Sequence, residues 1–376
     1  MCYYVIMTED LKWSNYDFTK IPLDDIVSVG QRTLLYRDMF TVSWLLGRFC
    51  NYKCSYCWPY ARSDRKDHRP TELCLKTIDE IKRQARENNF NSFHFSLSGG
   101  EPTFHPGYLD ILKHLADDVE NTNYTSVHMT TNMSRNMKWH KEYVEAVKPF
   151  HRASITASLH TEHVNNVEKM QDFADKLIFC QEHDVQVTIN MVMVPDWFER
   201  DWENALFFHE QGINVTLKPQ SDPTASRVVD GYTKDNLKRL YNGMPQRAYT
   251  ESKRKWTGRP KPTFEMPTDV RGKNDASVPW HMQVELEAKD GKKYYMDQAE
   301  RFNAFNFNNF EGWACNAGYS GLIIREPDGS VKRSYSCHDA PLGNIETGFT
   351  IFKTPKTCIT KSCVSSADSK IPKRKV

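Results

Sequence analysis

From about residue 40 to 220, short apolar runs alternate with amphipathic stretches, and this alternation narrows the possible folds more than any other feature of the chain. Candidate strands are 41–46, 92–97, 124–131, 152–159, 185–194 and 213–219, with candidate helices at 71–87, 107–117, 139–147, 162–182 and 197–211. Six strand–helix repeats predict an α/β protein with a parallel sheet and helices outside it. Periodicity leaves open whether that sheet closes, stays partly open or lies flat. In parallel α/β architectures reactive groups collect at the C-terminal ends of the strands.

With 376 residues the chain has room for one large domain with an appendage, or for two domains. No apolar run reaches the roughly 18 residues of a membrane span. The first residues lack the basic-then-apolar order of a secretory signal, so a cytoplasmic protein is expected. A net charge of +2 makes no electrostatic case for nucleic acid. In a reducing compartment, ten cysteines read as metal or redox sites and not as disulfides. Cys74 shares a helical stripe with Ile78, Ile81 and Ala85, and Cys180 with Met170, Phe173 and Leu177, so both read as small core hydrophobes. Cys2 reads as an incidental terminal residue.

The first strand leads into Cys50-Asn51-Tyr52-Lys53-Cys54-Ser55-Tyr56-Cys57. A cubane iron–sulfur cluster usually takes four thiolates. Three on one loop would hold three irons and leave the fourth open to a small molecule. Structural zinc is the competitor, but it needs a fourth ligand and usually uses paired Cys-x2-Cys knuckles. One helix and one strand later comes Ser98-Gly99-Gly100-Glu101-Pro102-Thr103. Paired glycines allow close backbone approach or positive φ, and a carboxylate beside them can accept from an ammonium group.

The Cys-x3-Cys-x2-Cys spacing with Tyr56 before the last cysteine, followed by Gly-Gly-Glu-Pro, resembles the radical SAM superfamily. That resemblance implies a partial (β/α)6 TIM-like barrel. It also implies a 4Fe-4S cluster on Cys50, Cys54 and Cys57 whose open iron is chelated by S-adenosylmethionine. Gly99, Gly100, Glu101 and Pro102 would hold the methionine amino group. Asn132, after Thr130-Thr131, and Ser158 would face the methionine carboxylate or ribose; a strand-end Asn or Ser capping the next helix is the plain alternative. Residues 191–195 lack the glycine-bearing adenine motif of some members, so adenine contacts there would be backbone and apolar. His160 and His163 read as a helix-start pair with Glu162 in preference to metal ligands.

Near the C-terminus, Cys315-Asn316-Ala317-Gly318 precedes the apolar run Leu322-Ile323-Ile324. A turn at Pro327-Asp328-Gly329 and a return strand would bring Cys337 toward Cys315; Leu342-Gly343-Asn344-Ile345, Cys358 and Cys363 follow. Four thiols are enough to close a second cubane cluster, with four-cysteine zinc as the alternative. The region resembles the SPASM auxiliary-cluster extension, in its shorter twitch form because a full SPASM domain carries more cysteines. Cys358 and Cys363 depart from the usual closely grouped run.

The expected organisation is an N-terminal extension (1–40), the radical SAM partial barrel (41–220), and a linker or insert with a hairpin at 283–296 and possible substrate contacts (221–311). A small β-hairpin/helix auxiliary-cluster domain (312–365) and a disordered basic tail (366–376) complete it. The basic stretch 247–261 reads as a solvated linker, and 301–313 as core or pocket lining. The resemblance implies an oxidoreductase in which a reduced cluster, fed by a donor such as flavodoxin or ferredoxin, cleaves S-adenosylmethionine to a 5′-deoxyadenosyl radical. The radical would take hydrogen from a peptide or small-molecule substrate, with the second cluster accepting an electron. Oxidation or rearrangement of a small metabolite, such as an amino sugar or nucleoside, is the alternative. RNA modification fits the near-neutral charge poorly, and a non-catalytic electron carrier would leave Gly99–Pro102 without a task. Tyr319, His338 and Asp339 are acid–base candidates by position alone.

Overall fold

The computed structural model describes residues 18–31, 38–66, 68–223, 227–244, 284–296, 302, 305–325, 328–337, 341–363 and 365–376. In chain order its first elements are β1 (Ile26–Gln31), β2 (Phe40–Leu45), α1 (Thr71–Glu87), β3 (Ser92–Ser98), α2 (Tyr108–Ala116), β4 (Tyr124–Thr131), α3 (Met137–Val147) and β5 (Arg152–Leu159). There follow α4 (Val167–Glu182), β6 (Val185–Met193), α5 (Phe198–Glu210), β7 (Asn214–Pro219), α6 (Lys234–Asn242), β8 (Val284–Ala288) and β9 (Lys293–Met296). The C-terminal part adds β10 (Ala314–Cys315), β11 (Gly321–Arg325), β12 (Ser330–Lys332), β13 (Pro341–Asn344), β14 (Gly348–Phe349), β15 (Lys356–Thr357), α7 (Ser366–Ser369) and β16 (Lys373–Arg374).

Strands β2 to β7 pair in parallel in sequence order, each joined to the next through a helix. Among the described residues no pairing joins β7 back to β2, so the six form a partial (β/α)6 barrel. Alternation along each strand decides what faces where. Ile155, Ala157 and Leu159 of β5 are buried, and they share one core with Phe173, Leu177 and Cys180 of α4. Cys74 joins that core with Ile78, Ile81 and Ala85 of α1, as its helical stripe predicts. The opposite face of the sheet is polar. Thr41, His94, Ser126 and Arg152 lie in register across it, and Ser43, Ser96, His128, Ser154 and Gln186 form the next row. Within these rows His94 Nδ1 pairs with Ser126 Oγ at 2.8 Å and His128 Nδ1 with Ser154 Oγ at 2.8 Å.

Burial, then the charges of His128 and Arg152, pushes the His94 imidazole down to about 3; burial and Arg152 push His128 down to about 4. Both rings therefore stay neutral in the fold while they protonate near 6.5 in the unfolded chain. The unfolded state binds more protons below that pH, so stability falls as pH drops from about 6.5 toward 4. The slope is up to about 1.4 kcal/mol per pH unit for each such imidazole. His94→Gln and His128→Gln should flatten this fall, measured as thermal midpoints at pH 7.5 and pH 5.

The C-terminal hairpin is not a separate small unit. β11 pairs in parallel with β2, and β12, β13 and β14 extend the same ten-stranded sheet. Leu322, Ile323 and Ile324 are buried in succession, so β11 needs cover on both faces, and the free edge of β2 provides such a place. A second sheet has the order β15-β10-β16-β1-β8-β9. The hairpin expected at 283–296 is present as β8 and β9, whose antiparallel register pairs Val284 with Met296. Phe302, Phe307, Phe310 and Trp313 pack edge to face in this second core, which makes their segment core and not pocket lining. The expected disordered tail is ordered as well: β16 lies between β10 and β1. The basic stretch 247–261, His338, Asp339 and Cys2 lie outside the described residues.

Candidate active site

The cysteine loop leaves the C-terminal end of β2 and is bound first to the end of β3. Gly100 N donates to Gly47 O at 2.8 Å and Glu101 N to Phe49 O at 2.7 Å. These two ladders bring backbone against backbone, which is where the glycine pair is required. A Cβ on Gly99, whose φ is +143°, would stand 2.2 Å from Gly47 O, and one on Gly100 would stand 2.3 Å from both Arg48 O and Phe49 O. The close approach that the sequence suggested is therefore to the cysteine loop itself. On its other side the loop is held by the segment that follows it: Cys50 N donates to Ser63 O at 3.2 Å and Ser63 N to Arg48 O at 2.7 Å.

Glu101 is tied into the protein itself. Its carboxylate is 1% exposed and is filled by the protein's own donors. Oε1 accepts from Thr103 N (3.2 Å), Thr103 Oγ1 (2.6 Å) and Thr131 Oγ1 (2.7 Å), and Oε2 accepts from Asn132 N (2.6 Å). Burial raises its pKa while these four bonds oppose the rise. The side chain thus ties the short helical turn at Pro102–Phe104, which Pro102 opens, to the end of β4. It has little capacity left to accept from an ammonium group.

Asn132 is buried and reaches the cysteine loop directly. Its Nδ2 donates to Asn51 Oδ1 at 3.0 Å and contacts Cys50 Sγ at 3.9 Å. The next helix is capped not by Asn132 but by Asn136, which accepts from Trp139 N. Ser158 sits on the polar face of β5 in register with Asn190 of β6. Tyr319, an acid–base candidate by position, packs its ring edge on Phe90 at 5.3 Å and serves the core.

The turn between β5 and α4 was read as the start of a helix. That helix begins only at Val167, capped by Asn166, and the preceding residues grip the cysteine loop. His163 Nε2 accepts from Lys53 N at 3.2 Å and stacks on Tyr52 with centroids 4.0 Å apart. Glu162 accepts from Ser55 N at 2.9 Å and from the Ser55 hydroxyl. His160 Nδ1 meets the Tyr56 hydroxyl at 2.8 Å. The available signal was positional: a polar, histidine-rich segment right after a strand end, on the rim where the cysteine loop also lies.

The three thiols are half-buried. Burial pushes Cys50 up to about 11 and Cys54 up to about 12, with neighbouring negative charge adding to both, and it raises Cys57. Arg62 is the cation that partly offsets this at Cys50 and Cys57. Three thiols gathered on one loop are a donor set suited to a positively charged metal centre, whose charge would offset the burial that disfavours their anions.

The four C-terminal cysteines are buried and also converge. The Cys315 and Cys358 thiols act on each other so that Cys315 is raised and Cys358 lowered, and Cys358 Sγ donates to Thr360 O at 3.9 Å. Cys358 feels the charges of Cys337 and Cys363, and Cys363 those of Cys315 and Cys337. Cys358 N donates to Trp313 O at 2.7 Å and Cys363 N to Asn308 O at 2.8 Å, which fixes the less regular pair in the second core.

The profile of the radical SAM superfamily matches residues 44–209, a span that includes the cysteine loop and the glycine pair. No curated protein matches the chain. Two similar solved structures are described as "Native anSMEcpe with bound AdoMet" and "Native anSMEcpe with bound AdoMet and Kp18Cys peptide". Each is 17% identical, covers 83% of this chain and 79% of its own, and has a TM-score of 0.47.

Proposed function

We propose, from the premise that residues 44–209 are a radical SAM domain, that this chain uses S-adenosylmethionine to take hydrogen from a peptide or small-molecule substrate. The observation that carries the reading is the loop at the end of β2, where Cys50, Cys54 and Cys57 lie half-buried and close enough to feel one another's charge. A 4Fe-4S cluster bound there supplies the electron that splits S-adenosylmethionine into methionine and a 5′-deoxyadenosyl radical. Gly99 and Gly100 fix the loop, Asn132 and His163 hold its first half at Asn51 and Lys53, Glu162 holds Ser55, and Tyr56 is oriented by His160. The backbone of Gly99–Pro102 is suited to the methionine end of the cosubstrate, since the Glu101 carboxylate is already filled. The hydroxyl, imidazole and amide groups lining the sheet's inner face suit a polar substrate. Among the described residues no helix is long and apolar enough to cross a membrane.

In the same reading Cys315, Cys337, Cys358 and Cys363 would hold a second 4Fe-4S cluster in a twitch-like region. With all four irons taken by protein ligands it would serve as an electron acceptor for the substrate radical, which would make the chain an oxidoreductase with a flavodoxin or ferredoxin as its donor and the cytoplasm as its place of work. A small metabolite such as an amino sugar or nucleoside is the alternative substrate class.

A second reading, zinc at the first loop, is favoured by the donor atoms of Cys54, Glu162 and His163, which lie within 4.8 Å of one another. Those Glu162 and His163 atoms, however, already accept from Ser55 and Lys53. The deciding experiment is metal and sulfide analysis of anaerobically prepared protein, with 5′-deoxyadenosine followed after reduction. The expected result is iron at both sites, with cleavage retained and about half the iron lost in a Cys315→Ala/Cys337→Ala variant. Zinc at the first loop, or no deoxyadenosine under reducing conditions, overturns the reading.

A further inference from the structure

We infer that Lys373 is the built-in counter-charge of the four-cysteine site, a positioning residue that raises the reduction potential of the cluster held there. The inference rests on the proposed second cluster and adds a residue that the motifs do not contain. Lys373 stands directly opposite Cys315 in the antiparallel pairing of β16 with β10, so the two side chains share one face of the sheet. It is 3% exposed. Its ammonium lies 5.0 Å from the ring centroid of Phe310, which packs on Trp313 in the core that also holds Cys315, Cys358 and Cys363.

The surroundings of that ammonium are unusual for a buried cation. It donates to the carbonyl oxygens of Asp368 (2.6 Å), Ile371 (2.8 Å) and Ser369 (3.5 Å), and among the described residues it makes no ion pair. The nearby Asp368 carboxylate is spent on the backbone of Tyr335 (3.2 Å) and Ser336 (2.5 Å), just before Cys337. A buried charge without a carboxylate partner is costly unless other negative charge is close. Thiolates holding a cluster would supply it, since Lys373 stands opposite Cys315 across the β10–β16 pairing.

A cubane cluster on four thiolates is an anion in both redox states and gains one further negative charge when it takes an electron. No bond forms or breaks in that step. A fixed cation beside the cluster stabilises the reduced state more than the oxidised one, because net charge and burial set the potential. The same strand ties the site together, since Asn316 N donates to Pro372 O at 3.0 Å.

The test is a redox titration of the reconstituted full chain, poised with a low-potential reductant and followed by electron paramagnetic resonance. Lys373→Gln keeps N–H donors and removes the charge; Lys373→Arg keeps the charge. Lys373→Gln should lower the reduced-to-oxidised ratio of the second cluster at fixed poise about tenfold, a shift of about 59 mV downward for one electron. Lys373→Arg should stay near the wild-type value. An unmoved potential in Lys373→Gln, with the second cluster's iron intact, overturns the inference. If Lys373→Gln loses the cluster, Lys373→Arg decides: retention at the wild-type potential supports the role of charge, and loss in both variants reduces Lys373 to packing. Iron sufficient for one cluster only in the wild type, or zinc on the four cysteines, sinks the two-cluster reading itself and the inference with it.

Discussion

Gly100→Ala should strip the iron from the first cysteine loop and abolish deoxyadenosine formation, although it adds only a single methyl group. The new Cβ would stand 2.3 Å from the carbonyl oxygens of Arg48 and Phe49. Both obstacles are backbone, so no side chain can swing away, and Phe49 adjoins Cys50. Accommodation requires the loop to leave β3, which breaks the bonds from Gly100 N to Gly47 O and from Glu101 N to Phe49 O. Overpacking of this kind costs roughly 1–3 kcal/mol in stability. The larger loss is geometric, because three thiolates must meet one cluster within tenths of an ångström. Gly30→Ala is the matched control: nothing lies within 4 Å of its added Cβ, and iron content and melting should stay as in the wild type. Full iron occupancy and normal cleavage in Gly100→Ala would show that the glycine pair does not set the loop.

Glu101→Ala is expected to produce the largest loss of stability among single changes near the site, about 3 kcal/mol or more by denaturant titration. The substitution orphans Thr103 N and Oγ1, Thr131 Oγ1 and Asn132 N, all in a buried setting. Each unsatisfied buried donor costs on the order of 1–3 kcal/mol, and hydroxyls can recover part of this by rotating. Glu101→Gln should fall between, since an amide keeps the shape but cannot accept at both positions. Loosening the end of β4 also releases Asn132, whose side chain holds Asn51 and touches Cys50, so iron retention should weaken with stability. Were the carboxylate instead a ligand for an ammonium group, Glu101→Gln would melt like the wild type and lose only affinity for the cosubstrate.

Apart from the start of α4, which comes five residues later than its polar lead-in suggests, the barrel was legible to within a residue or two because its signals are local. Alternation along a strand and a stripe along a helix each declare an element without reference to distant partners, and Tyr124–Thr131 and Thr71–Glu87 are cases in point. The grouping of the first three loop cysteines is legible for the same reason: Cys50, Cys54 and Cys57 sit within eight residues. What escaped was set by partners remote in sequence. Nothing around Leu322–Ile324 says that their neighbour is β2, nearly three hundred residues earlier. Glu101 read as free to bind a ligand because two of its partners, Thr131 and Asn132, come from the following strand end. Glu162 and His163 carry the charge pattern of a helix start, and only the fold reveals that Ser55 and Lys53 occupy them. Lys373 and its neighbours looked too charged to be ordered, yet three carbonyls and a sheet position hold them.

The location of β16 between β10 and β1 has a consequence for how the molecule matures. The six parallel strands are all in hand once Pro219 has left the ribosome, and chains generally fold N-terminal units first as they are made. The second sheet cannot be knitted until Lys373 and Arg374 have emerged, because they bridge β1 to β10. The nascent polypeptide can thus form the loop that carries Cys50, Cys54 and Cys57 well before Cys315, Cys337, Cys358 and Cys363 have a nest to sit in.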